Sequence, residues 1–565
     1  MKKILFLMLL PFLMVTAVVA QPAAVQKAAK AVYRLTTFNA NNDIIATCYA
    51  VALNAQGDCA APWAPFVGAQ RATIEDESGR TYNVESIYGA NELYNVCHIH
   101  ADARLAPITS GAKSVAAGTN VWASLPSRFG KAAEVKVTGA ESFDKNYNYY
   151  QLSKPSAGNS PLTGAALMNN SGQAVGIIQT SASGELAAID LDFVRTLKIE
   201  NALAANDPTL RTTGIRIALP TDKEQALALL MLVGQRTDSL TRVDYIHDFI
   251  RQFPNEVDGY QALAEEELRG MHFSLANQQI TTALQKATNK AEAHAALAKL
   301  IYQKASWFPQ VEFPEWSLEK GLEAIRAAQK LHPQPVYAHQ EAQLLYMQGD
   351  YNNALQGFLA LTKTPLRSGE IFFEASACKE ALQAPTTEII ELLDSAVQIN
   401  INSEPLLSAP YVLSRADVWN RAKDYRKAVI DYNLYDSIMG GRPISTEFYY
   451  VRSQCEMQIR QYQQALNDLN RALLLSRTNP LLWAEKAALH LRFKQYEDAI
   501  RASEICMKLD PQNTDAMIIK GKSLLSQSAE KGRAKQEAAD KRQEALTIFA
   551  KAKALGDDRG DEMMK

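Results

Sequence analysis

With 565 residues and a formal net charge of −2, the chain has room for several domains and no electrostatic footing for binding nucleic acid or an anionic membrane surface. An apolar fraction of 47% is enough for real cores, and six cysteines over this length are too few for a disulfide-built scaffold.

Residues 1–20 read as a secretory signal. Lys2 and Lys3 supply the positive end, Ile4 to Val19 the apolar stretch, and Val18 and Ala20 the small residues before a cut at Gln21. The rival is an uncleaved anchor, which Pro11 and the small-residue exit disfavour. The next cysteine is Cys48, so lipid attachment at the cut is not expected. No later stretch offers the ~20 unbroken apolar residues that cross a bilayer. The expectation is an exported protein, periplasmic or secreted, soluble and not a lipoprotein.

Residues 21–203 break into short apolar runs separated by turns. After a helical stretch from Ala23 to Ala31, the runs Val32–Thr36, Ile44–Leu53, Val84–Ile87, Val96–Ile99, Val121–Leu125, Tyr149–Leu152 and Ala174–Ile178 read as strands. Turns fall at Asn54–Gly57, Glu77–Gly79 and Asn170–Gly172. Many short strands at this spacing predict an all-β barrel or a pair of barrels.

Three blocks carry a resemblance: ATCYAVALNAQGDCAAPWAPFVGA (46–69), YNVESIYGANELYNVCHIHAD (82–102) and SPLTGAALMNNSGQAVGII (160–178). In order and content the segment resembles the trypsin-like, HtrA-type serine proteases, whose histidine, aspartate and nucleophile turn lie in such blocks. The resemblance implies a trypsin-like double barrel, and it places Ala64 at the histidine, Asn95 at the aspartate and Thr163 at the serine. Pro161 falls at the glycine whose N–H serves the oxyanion, and proline has none to give. A serine needs an adjacent base to take its proton, and alanine is not one. One lost oxyanion donor costs ~10²–10³ in rate and one lost triad member ~10⁴–10⁶, so the expectation is an inactive serine protease homologue.

Other chemistry in this segment is thin. Ser160, in Gly158-Asn159-Ser160, echoes the family's nucleophile turn but lacks the base. His98 and His100 share one face of a strand, a spacing open to a metal, but with no second ligand cluster they read as ordinary strand residues. Cys97 and His98 point to opposite faces and form no nucleophile pair. No metal or cofactor is expected. Cys48 and Cys59 lie on the two arms of the hairpin around Asn54–Gly57, and whether they are bridged stays open.

Residues 204–221 carry two prolines and a change of texture, and read as a linker. From Lys223 onward the pattern is helical. In PLLWAEKAALHLRFKQYEDAIRASEICMKLDP (480–511), Trp483, Ala487, Tyr496, Ala499 and Pro511 take positions 4, 8, 17, 20 and 32. Small residues sit where two antiparallel helices must touch, aromatic ones fill between them, and Pro511 stops the second helix. This resembles the tetratricopeptide repeat. The same ruler finds Ala465 with Tyr449 and Tyr462, Ala428 with Ala416 and Tyr425, Ala354 with Gly349 and Tyr351, and Ala276 with Tyr260 and Ala264. Poorer copies lie around Ile390, from Ala295 to Pro333, and from Gly521 to Ala552, and Ala226–Pro254 is a degenerate first one. The expectation is a solenoid of about eight helical hairpins over 222–556, with a tail at 557–565 whose Arg559-Gly560-Asp561 is chance. Cys455 and Cys506 should be buried thiols.

Arrays of this kind bind through the concave surface lined by the first helix of each pair. In the three best repeats the inward positions are Asp417, Asn420, Arg421, Tyr450, Gln454, Gln458, Leu491 and Arg492, a mixture suited to an extended peptide or protein segment. The sequence therefore reads as an exported, non-catalytic scaffold whose partner is a protein or peptide. Two alternatives stand beside it: a serine endopeptidase with a non-standard nucleophile or base, and a purely structural part of an envelope assembly.

Overall fold

The computed structural model describes residues 21–111, 114–144, 146–155, 161–181, 183–532 and 534–564. Its contacts divide the chain into two compact units, Met1–Ala296 and Leu297–Lys565. The expected signal segment, Ser160 and the turn before it lie outside the described residues.

In the first unit, β1 (Val32–Phe38), β2 (Ile44–Ala52), β3 (Asp58–Pro62), β4 (Arg71–Glu75), β5 (Thr81–Asn91) and β6 (Val96–Ala101) close into a barrel in the order β1-β2-β3-β6-β5-β4. A second barrel is built from β7 (Asn120–Ser124), β8 (Ala133–Phe143), β9 (Tyr147–Leu152), β10 (Ala166–Met168), β11 (Ala174–Thr180) and β12 (Leu186–Asp190). Its order, β7-β8-β9-β12-β11-β10, is that of the first barrel over again. All pairings are antiparallel, and closure leaves neither barrel a bare edge. Leu35, Ile74, Ile87 and Ile99 fill the first barrel, and Leu167, Ile177, Ile189 and Tyr150 the second.

The stretch 204–221, expected as a linker, is folded against the first barrel. Ile217 bridges Ile87 in parallel, with Ile87 N–H donating to Arg216 O (2.8 Å) and Ala218 N–H to Ile87 O (2.8 Å). Leu210, Ile215, Ile217 and Leu219 join the barrel's apolar cluster, and so do Leu229 and Phe249 from the helices Lys223–Gly234 and Ser239–Gln252. The prolines end regular structure here, but the alternating Ile215, Ile217 and Leu219 bury one side of the segment, which a free linker has no reason to do. Arg216 fastens the other side through ion pairs to Glu85, Asp244 and Asp248.

The remaining chain is helical, in nine consecutive pairs from Lys223 to Ala554 among the described residues. Two pairs, Lys223–Gly234 with Ser239–Gln252 and Val257–Arg269 with Phe273–Lys286, fall in the first unit. In the second unit the pairs run Pro335–Gln348 with Tyr351–Leu361, Gly369–Ala381 with Thr386–Asn400, Pro405–Arg421 with Tyr425–Met439, Thr446–Gln458 with Tyr462–Leu475, Pro480–Arg492 with Tyr496–Leu509, and Thr514–Ser528 with Lys535–Ala554. The helix Lys290–Trp307, paired with Leu318–Leu331, carries the division point. The small residues of the repeat ruler are where two helices meet: Ala354, Ala416, Ala428, Ala465, Ala487 and Ala499 are all at 0% exposure. Gly521 is the extreme case, since a Cβ there would sit 2.4 Å from the Phe549 ring.

Cys48 and Cys59, left open as a disulfide, are both free and buried. The register explains it: Cys59 lies opposite Ala52 on β2, while Cys48 lies opposite Leu35 on β1. Burial pushes the Cys48 thiol up to about 12, so it is inert rather than reactive.

Candidate functional site

Between the barrels, one short turn and two strand ends bring the sequence-marked positions together. Asn95 sits in the turn between β5 and β6 with φ +48°, a left-handed conformation asparagine tolerates. Its carbonyl accepts from Trp63 N–H (3.1 Å) and its side-chain Oδ1 from Ala64 N–H (2.7 Å). These bonds pin the 3-10 turn Ala64–Phe66, whose Phe66 is buried against Trp63, and leave the Ala64 methyl exposed. The other side of the Asn95 amide, Nδ2, donates to Gln179 Oε1 (3.0 Å) on β11. The next residue of that strand, Thr180, accepts from the Thr163 hydroxyl (2.8 Å). Positions 64, 95 and 163 thus converge on the end of β11. Gly164 makes the approach feasible: it has φ +82°, and a Cβ on it would meet Tyr49 O of β2 at 1.9 Å. Tyr49 N–H donates in turn to Thr163 O (3.1 Å), which stitches the two barrels at this point.

Twin six-stranded barrels of one topology, with these three positions meeting in the seam, decide the fold. The N-terminal fold is a trypsin-like double barrel. Solved structures similar to this chain include the HtrA-type protease AlgW with a tripeptide (20% identity, TM-score 0.26, covering 30% of this chain and 60% of that one). A variant of that protease with a tripeptide has 21% identity over the same shares, with a TM-score of 0.26. A serine endoprotease from Yersinia pestis has 20% identity and a TM-score of 0.26, over 30% of this chain and 62% of that one. The chain therefore spans about 60% of the length of the solved chains it matches. No family model matches the chain, and no curated protein does.

Among the described residues, positions 64, 95 and 163 of the seam hold hydrogen bonds and no histidine. Thr163 has a hydroxyl partner, Asn95 is committed to a backbone N–H and to Gln179, and Ala64 offers a methyl group. Pro161, exposed, has no N–H for an oxyanion. Gln179 is 8% exposed, and its Nε2 has no partner among the described residues.

The domain's two histidines face elsewhere. On adjacent strands β3, β6 and β5, Asp58 lies opposite His100 and His100 opposite Ser86. His100 Nδ1 donates to Asp58 Oδ1 (2.8 Å). Burial works against the Asp58 charge, yet the hydrogen bonds from His100 and Asn54 outweigh it and hold the carboxyl below its usual range. His98 Nδ1 donates to Leu197 O (3.1 Å), its Nε2 lies 3.9 Å from Asp58 Oδ2 with no hydrogen bond among the described residues, and burial lowers its pKa. Ser86, Tyr88, His98 and His100 wall a cavity of 530 Å³, closed on the other side by Arg195 and the helix Ser239–Gln252. Neither Ala64, Asn95 nor Thr163 reaches it.

In the helical part, the inward positions named from the repeat pattern are variously committed. Asp417 accepts from the Tyr432 hydroxyl (2.6 Å), and Asn420 Oδ1 from Cys455 Sγ (3.2 Å). Arg421 pairs with Glu380 (2.5 Å), and Arg492 donates to the Tyr462 hydroxyl (2.7 Å) while lying over its ring. Tyr450, Gln454 and Leu491 are half-buried and Gln458 is exposed. A cavity of 390 Å³ opens two hairpins earlier, on the helices Lys290–Trp307, Pro335–Gln348 and Gly369–Ala381. Two of its three hairpins match the repeat ruler poorly, which hides the cavity in the sequence, although Tyr302, Tyr346 and Phe373 stand at inward positions.

Proposed function

We propose that this is an exported, non-catalytic scaffold: a protease-like double barrel joined to a tetratricopeptide-type solenoid that holds an extended protein or peptide segment. The observation that carries the non-catalytic half is the seam itself. Asn95 spends its side chain on Ala64 N–H and Gln179, so the place of an acid–base pair is filled by a structural hydrogen-bond set. The first helices of successive pairs support the binding half, since their inward positions carry polar and aromatic side chains with exposed or half-buried surface, among them Gln458, Gln454 and Tyr450.

A second reading is favoured by one arrangement, the Asp58–His100–Ser86 row across β3, β6 and β5. It would make the protein a hydrolase with a relocated serine. The row lacks the bond that activates a nucleophile: Ser86 is 7% exposed and no hydrogen bond joins it to His100. A fluorophosphonate probe, which labels activated serines whatever the substrate, separates the two readings. The purified protein should stay unlabelled. Labelling that vanishes in Ser86→Ala, Ser160→Ala or Thr163→Ala would give the enzyme reading the field.

A further inference from the structure

The cavity between the helices Lys290–Trp307, Pro335–Gln348 and Gly369–Ala381 is chemically unlike the rest of the solenoid. Tyr302, Tyr346 and Phe373 present half-buried ring surface to it, and Phe358 (1% exposed) forms its floor. Tyr411, from the following hairpin, lies against Phe373 with ring centroids 5.6 Å apart. Two carboxylates complete the wall, Glu370 and Glu374. Among the described residues no lysine or arginine lines it.

The two carboxylates differ in what they already hold. Glu374 is committed: Oε2 receives His339 Nε2 (2.5 Å) and Oε1 receives Gln343 Nε2 (2.7 Å). Burial opposes the His339 charge, but the Glu374 hydrogen bond and charge outweigh it and raise its pKa, so this pair tends to self-neutralise. Glu370 stands one helical turn away on the same face, exposed and without a hydrogen bond among the described residues, and its charge adds to that of Glu374 in raising the His339 pKa. Two carboxylates against one imidazolium leave a net single negative charge beside the four rings of Tyr302, Tyr346, Phe358 and Phe373. That combination attracts a cation through both the carboxylate and the negative ring faces.

From this juxtaposition we propose that the cavity is a pocket for one basic side chain, lysine or arginine, of an extended partner segment. The proposal rests on the reading of the solenoid as a peptide-holding surface and names the chemistry it selects. An acidic segment is excluded by Glu370 and Glu374, and a purely apolar side chain would leave Glu370 facing it without a partner. A 390 Å³ cavity is ample for a side chain with its four-carbon or guanidinium-bearing stem packed on the rings.

The test uses the full chain and two small probes, N-acetyl-arginine methylamide and its neutral counterpart N-acetyl-glutamine methylamide, followed by saturation-transfer NMR. The arginine probe should receive magnetisation from the protein, weaken with added salt, and bind at least tenfold more weakly to Glu370→Gln and to Phe373→Leu. Glu370 is exposed and makes no hydrogen bond among the described residues, so its variant should melt within a few degrees of wild type, and circular dichroism confirms that it is folded before binding is compared. Equal signals from both probes, or an arginine signal that Glu370→Gln leaves intact, would overturn the pocket. A photo-crosslinker placed at Ala377 and, separately, at Gln458 tells that failure from failure of the broader reading. Segments captured at Ala377 should carry a basic residue next to the crosslink. Captured segments without one sink the pocket and spare the groove; no capture at either position sinks both.

Discussion

Asn95 and Glu456 show how a single side chain can be misjudged from its type. An asparagine at an aspartate's place reads as damage, yet here its amide makes two bonds that a carboxylate would make only in part, since Nδ2 is the donor to Gln179. Glu456, a carboxylate on the helix Thr446–Gln458, is only 3% exposed, and its Oε2 has no hydrogen-bond partner among the described residues. Burial first, and the nearby Asp468 second, push its pKa up to about 8, against the opposing pull of Arg452 and Arg471. A folded-state pKa raised above the unfolded value of 4.5 gives stability that is whole below pH 4.5 and is lost as pH rises through about 8. Glu456→Gln should therefore match wild type near pH 4.5 and exceed it at pH 8 by roughly 2 kcal/mol or more, at about 1.4 kcal/mol per pKa unit. Urea unfolding at the two pH values measures this, and a pH-independent difference would count against it. What the sequence could not disclose is commitment: Asp417 and Asn420 face inward by position, but Tyr432 and Cys455 already occupy them.

At the scale of elements, the helix pairs were legible and much of the barrels was not. Ala354, Ala428, Ala465 and Ala499 announce tight helix contacts because only a small residue fits there. The strands β3, β4, β8, β10 and β12 are not among the runs the sequence offers: β3 and β10 are short and alanine-bearing, and exposed polar residues or alanines dilute the others, β8 alternating buried and exposed positions only over its first half. A second device was hidden in charges on otherwise buried faces. Arg415 binds Asp431 of its own hairpin, sixteen residues on, and Asp394 of the preceding one. Arg452 repeats the arrangement one hairpin later with Asp468 and Asp436. Each arginine thus ties three helices, and the Arg452–Asp468 pair is 5% exposed on both sides. Removing one partner strands the other without water, at a cost of about 3–5 kcal/mol, whereas replacing both with apolar residues of similar size is closer to neutral. Arg452→Ala should lower stability by that amount, and Arg452→Met with Asp468→Leu should recover most of it. Thermal unfolding of wild type and the two variants is the check, and a double variant no more stable than Arg452→Ala would refute a closed pair.

For the whole molecule, the question is where the chain can be divided. Prolines and the change of texture suggest a cut at 204–221, and a linker there would leave 21–203 to fold alone. The packing argues otherwise. Ile217, Leu229 and Phe249 belong to the apolar cluster of the first barrel, and Ile217 N–H donates to the Tyr245 hydroxyl (3.1 Å). Each such side chain contributes about 1.5–3 kcal/mol when fully buried. Losing three of them takes away an amount comparable with the ~5–15 kcal/mol that holds a whole domain folded. A texture change marks where strands give way to helices, and it carries no information on whether the helices share the strands' core. A fragment of residues 21–203 should therefore expose Ile87 and its neighbours, bind a hydrophobic dye and lack a cooperative melt, while residues 21–296, the first compact unit, should melt cooperatively and leave the dye unbound. Limited proteolysis of the full chain should likewise spare 204–221. A monodisperse, cooperatively melting 21–203 fragment would restore the linker and make the barrels independent of the helices that follow them.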